Sequence, residues 1–109
     1  MPVDFSNVLN TLKQGIVNIA GNELRAYIAQ ATQDGQGILD ALNTQLQGWA
    51  TAAANGTISA SDLEYLILAQ KDQLEMVALK QAGIAAIAVD QFKADVFNLI
   101  TTTLSALIP

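Results

Sequence analysis

The sequence predicts an all-α fold: an up-down bundle of about four helices that turns back on itself over residues 55–60. Three observations carry this reading. Apolar residues recur at three- and four-residue steps along nearly the whole chain, the spacing of one helix face. Glycines punctuate that pattern at 35, 37, 56 and 83 and divide it into runs of bundle length. The length, 109 residues, suits a single domain over 1–109 with a core of its own.

The first run, Phe5, Val8, Leu12, Ile16, Ile19, Leu24 and Ile28, makes one face of residues 4–33 apolar. Asp4 precedes it as an N-cap able to accept the free first-turn N–H groups. Gly35 and Gly37 follow in "QDGQG". Each glycine costs about 1 kcal/mol inside a helix, so a break or hinge is expected there. A second helix over 37–54 carries Leu39, Leu42, Leu46, Trp49 and Ala53 in a 3-4-3-4 seam suited to coiled-coil-like packing. Gly56 closes it in the left-handed conformation. Ser61 and Glu64 then make a capping-box arrangement before Leu63, Leu66 and Ile67, starting a third helix over 61–82 with Ser59 or Ser61 as its cap.

Gly83 is the next expected hinge. A fourth helix over 84–107 follows, marked by Val89, Phe92, Val96, Leu99, Thr103 and Leu107. No capping residue stands right after Gly83, so 61–108 also reads as one kinked helix, about 70 Å long at 1.5 Å per residue. That alternative gives a long hairpin, which must dimerise to bury both apolar faces. Residues 15–28, "GIVNIAGNELRAYI", align without gaps with 83–96, "GIAAIAVDQFKADV". Shared amphipathic patterning accounts for most of the matches, and a duplicated helix is the alternative.

Composition excludes several chemistries. The chain has no cysteine and no histidine, which removes disulfides, thiolate nucleophiles, zinc and iron–sulfur ligation and the usual neutral-pH base. Ten acids face five bases for a net charge of −5, and Lys13, Arg25, Lys71, Lys80 and Lys93 are scattered. Nucleic acid, which needs a basic stripe, is not an expected partner. An anionic membrane surface is possible but disfavoured by the same count. "MPVDFSNVLN" lacks the pattern of a signal peptide, and no window approaches the ~20 apolar residues of a membrane span, so a cytoplasmic setting is the default expectation.

"NGTISASDLEYL" at 55–66 resembles the second half of an EF-hand calcium loop. Gly56 in the sixth loop position puts Asp62 in the twelfth, but positions one, three and five become Thr51, Ala53 and Asn55. Too few hard oxygen ligands remain, and no metal is expected. Asp72 and Glu75 could share a helix face, and Lys71–Glu75 could form an i,i+4 pair. Without a Glu-x-x-His partner these read as a solvated surface. With no acid–base constellation and no phosphate cradle, neither an enzyme nor a cofactor is expected.

The uncharged stretches suggest most about function. Residues 41–61 and 96–109 carry no charge, although apolar residues make up 51% of the chain. Soluble monomers seldom leave such regions uncovered. The expectation is a non-enzymatic structural or interaction module that forms a homo-oligomer, with Leu39, Leu42, Leu46, Trp49, Phe92, Val96, Leu99, Leu104 and Leu107 as interface or core. The alternative is a lipid-active amphipathic bundle or pore former opening at its glycine hinges. An apolar-ligand carrier is a third reading.

Overall fold

Asp4 starts the first helix. In a computed structural model of the chain, which describes residues 4–109, its carboxylate accepts from the N–H groups of Ser6 and Asn7 at 3.1 and 3.4 Å. Helix α1 (Phe5–Glu23) buries Val8, Leu12, Ile16 and Ala20 on one stripe. It does not continue to residue 33. Leu24 leaves the helical region at φ −132°, ψ 50°, a 3₁₀ turn covers Arg25–Tyr27, and α2 runs over Ile28–Ala41. No glycine or proline stands at 22–27 to announce this break. The gain is tertiary: the chain reverses, and α2 returns along α1 with Gly35 against Ile16.

The hinge expected at Gly35 and Gly37 is therefore absent, because α2 passes through both. Gly35 serves close approach instead. A Cβ there would lie 2.5 Å from Ile16 Cγ2, whereas one on Gly37 would meet nothing within 4 Å. The chain bends at Leu42, near φ −99°, ψ 8°, and α3 follows over Asn43–Ala54. Hydrogen bonds from Leu42 N–H to Ile38 O at 3.0 Å and from Leu46 N–H to Leu42 O at 2.7 Å keep the bend tight. The helix expected over 37–54 is thus split within its own seam, at Leu42.

Gly56 and Gly83 hold equivalent positions. At φ +70°, Gly56 lets its own N–H reach Ala53 O at 3.1 Å and the Thr57 N–H reach Ala52 O at 2.9 Å. At φ +80°, Gly83 repeats the pattern, with Gly83 N–H to Lys80 O at 3.1 Å and Ile84 N–H to Leu79 O at 3.5 Å. Both are Schellman caps, which glycine closes without steric cost.

Helix α4 (Ala60–Ala69) begins one residue earlier than expected, and of the two candidate caps, Ser59 and Ser61, it uses Ser59. The Ser59 Oγ accepts from Asp62 N–H at 3.1 Å. The helix ends at Ala69. A 3₁₀ turn (Lys71–Gln73), an extended Leu74 and a short α5 (Val77–Gln81) lead to α6 (Ala86–Ser105). This overturns both a helix over 61–82 and one continuous to 108. In an unbroken helix Met76 would point about 180° away from Ile67, at ~100° per residue. Leaving the helix allows Met76 and Leu79 to be buried as fully as Ile67. The long hairpin falls with it, since the molecule measures only 43 × 23 × 20 Å.

The described residues form six α-helices and no strand. Helix α1 lies between α2 and α6, with Gly15 facing Leu99, and Asp4–Thr11 share a groove with Thr102–Leu107. The C-terminal uncharged stretch thus lies beside the N-terminal helix. The aligned stretches 15–28 and 83–96 do not share a structure. The first runs from mid-α1 across a break, and the second from a turn into α6.

Candidate functional site

Helix α5 has a problem at its start. Its N-cap, Met76, has no side-chain oxygen for the free first-turn N–H groups. Asp34, on α2, supplies it. One carboxylate oxygen accepts from Ala78 N–H at 2.9 Å and the other from Leu79 N–H at 2.8 Å. These are the N2 and N3 positions that a local cap would satisfy, reached from another helix. Asp34 is only 8% exposed and is the one buried charged residue among those described. A buried carboxylate without such donors would be costly, so the fit of α5 onto α2 is specific.

Beside this contact runs an open groove of about 580 Å³. Gln33, Gln36, Ile38 and Asp40 of α2 form one wall, and Leu74, Glu75 and Val77 form the other. Its carboxylates are already engaged: Asp40 accepts from Gln36 Nε2 at 3.3 Å, and Glu75 lies 3.8 Å from Lys80. The expected Lys71–Glu75 pair does not form, because the 3₁₀ turn and extended Leu74 remove the i,i+4 geometry. The Glu75–Lys80 pair is exposed on both sides and is worth at most about 1 kcal/mol. Among the described residues no group of three or more His, Cys, Asp or Glu is placed to hold a metal ion. No described helix is long and apolar enough to cross a membrane.

Compared with protein-family models, curated proteins and solved structures, the chain shows no significant match. Of the positions expected at an interface or core, Leu39, Leu42, Leu46, Phe92, Val96 and Leu104 are buried within the chain. Trp49, Leu99 and Leu107 are partly buried and pack against the same core. In α3 the buried residues after Leu46 are Ala50 and Ala53, and Trp49 sits at the margin. A seam written at 3.5 residues per turn drifts on a helix of 3.6.

The apolar surface left outside lies elsewhere. Helix α4 buries Leu63 and Ile67, yet Tyr65 is 74% exposed, Leu66 39% and Leu68 38%. Ile87, in the first turn of α6, is 85% exposed.

Where α1 ends, Glu23 meets α6. Desolvation there, a hydrogen bond to Asp95 and repulsion from its charge push the Glu23 carboxyl up from 4.5 to about 7. Asp95 is itself held by Gln91 Nε2, 3.2 Å from each oxygen. A raised folded-state value means that the stabilisation is complete below pH 4.5 and is lost as pH rises through about 7. The outer side of Glu23 stays in water, which screens the effect. Thermal melts of Glu23→Gln should therefore match wild type at low pH and exceed it above neutrality. Equal differences at every pH would contradict the pairing with Asp95.

Proposed function

We propose that the protein is a non-catalytic helical module that self-associates through the outer face of α4. The exposure of Tyr65, Leu66 and Leu68 on one short helix carries this reading. A surface helix of an isolated domain normally confines its large apolar residues to one stripe, and α4 bears them on both sides. The uncharged faces of 41–61 and 96–109 contribute their large side chains to the protein's own core, which leaves α4 as the better candidate.

The charges around the patch are compatible with a second copy. Asp62 stands three residues before Tyr65 and Lys71 three residues after Leu68. Two α4 helices crossing antiparallel on a two-fold axis would set Tyr65 against the partner copy's Leu68 and Asp62 towards its Lys71. Opposed helix dipoles favour the same arrangement. In the matching fold reading, four legs run up and down: α1, α2 with α3, α4, and α6. Helix α4 then forms an outer edge.

Light scattering at micromolar concentration tests this. Wild type is expected at twice the chain mass, and Tyr65→Glu at the single-chain mass with unchanged helix content. A folded wild-type monomer sinks the proposal. The lipid-active reading loses one support, since Gly35 and Gly37 are not hinges. Vesicle binding that Tyr65→Glu abolishes would assign the face to lipid instead of a second copy.

A further inference from the structure

We propose that residues 70–85 form a strap latched onto α2 by Asp34. The strap opens and closes as a unit over the neighbouring groove while α1, α2, α3, α4 and α6 keep their packing. This rests on observations separate from the α4 face.

The strap has little of its own to hold it. It joins α4 to α6 through a 3₁₀ turn, an extended residue and a five-residue helix. Within it Met76 and Leu79 are buried, Leu74 and Ile84 are only partly buried against the core, and Val77 is half exposed. Helix α5 begins without a local cap. At its other end the Schellman bond from Ile84 N–H is 3.5 Å long, against 2.9 Å for the same bond at the central turn. Segments with few buried apolar groups and weak backbone bonds open at lower free energy than the core they rest on.

Asp34 is what raises that free energy. Its two charge-assisted bonds, at 2.9 and 2.8 Å, are the hydrogen bonds that join the strap to α2, and both end on N–H groups with no other partner. The contact is discrete. When it breaks, both N–H groups and the carboxylate can reach water together, so the strap has a closed state and an open one rather than a continuum. Opening uncovers Met76, Leu79 and the α2 face around Ile38, which is buried in the closed form. The groove of about 580 Å³ between α2 and Leu74–Val77 then becomes a broad exposed face. The structure therefore contains a gate: α2 is the fixed side, the strap is the moving side, and Asp34 is the latch.

Native-state hydrogen exchange on the full chain, across urea concentrations below the unfolding transition, tests this. The Ala78 and Leu79 amides are expected to exchange on the order of 10-fold or more faster than those of Leu12, Ile16 and Ile100, with a shallower urea dependence. Asp34→Ala should speed the strap amides by a further ~10- to 100-fold, while α1 and α6 remain protected. Wild-type strap amides that share the core's rate and urea slope would overturn the proposal. If Asp34→Ala does not fold, the wild-type urea slopes decide alone.

Discussion

Asp34→Ala is expected to lower the stability of the protein by about 2–3 kcal/mol, read from urea unfolding followed by circular dichroism. The substitution removes both acceptors from Ala78 and Leu79 and leaves two N–H groups facing an apolar side chain. Alanine is the better helix former, so α2 itself should gain a few tenths of a kcal/mol at most and cannot offset the loss. Asp34→Asn keeps one acceptor but places an amide NH₂ beside the second donor, and it should fall between wild type and alanine. If the strap lifts in the variant, the global loss stops at the strap's own opening free energy. The loss read by circular dichroism should then equal the change measured at the strap amides. An unchanged midpoint together with unchanged exchange at Ala78 and Leu79 would mean that the bonds to α5 contribute nothing in solution.

The second large effect is expected at Gly35. A Cβ there meets Ile16 Cγ2 at 2.5 Å, and Ile16 is β-branched, buried and unable to swing aside. Overpacking of this kind costs about 1–3 kcal/mol, against ~1 kcal/mol gained from helix propensity. Gly35→Ala should therefore destabilise by up to about 2 kcal/mol. Gly37, two residues on in the same helix, faces open space, and Gly37→Ala should stabilise by about 0.5–1 kcal/mol. Opposite signs in thermal melts of the two variants are the expected result. The same sign at both sites would mean that α1 and α2 are not in close contact at this point.

That pair of glycines also shows what the sequence could and could not tell. The helical class and the central turn were legible, because the three- and four-residue period and Gly56 act locally. The breaks were not. Leu24 and Leu42 interrupt helices with no breaker residue at either point, since what decides there is the packing of α2 on α1 and of α3 on α6. "QDGQG" misled in the opposite sense: two glycines outweighed the fact that Asp34 continues the Ala31–Ile38 face. An acid on an otherwise apolar helix stripe was the available signal for the cap, and expecting a break at the glycines removed it. Leu66 groups with Leu63 and Ile67 by its spacing, but which of the three stays outside the core depends on the packing of α4 on α6.

The placement of α1 between α2 and α6 also bears on how the chain folds. The α1–α2 hairpin forms from near neighbours in sequence, but the other side of α1 stays open until α6 arrives, and Gly15 and Leu99 stand near opposite ends of the chain. Contacts this distant are slow to form and cannot be completed while the last helix is still within the ribosome. Leu12, Ile16 and Ala20 are then borne on a helix with only part of its cover until α6 emerges. The growing chain is most exposed to aggregation just before α6 emerges.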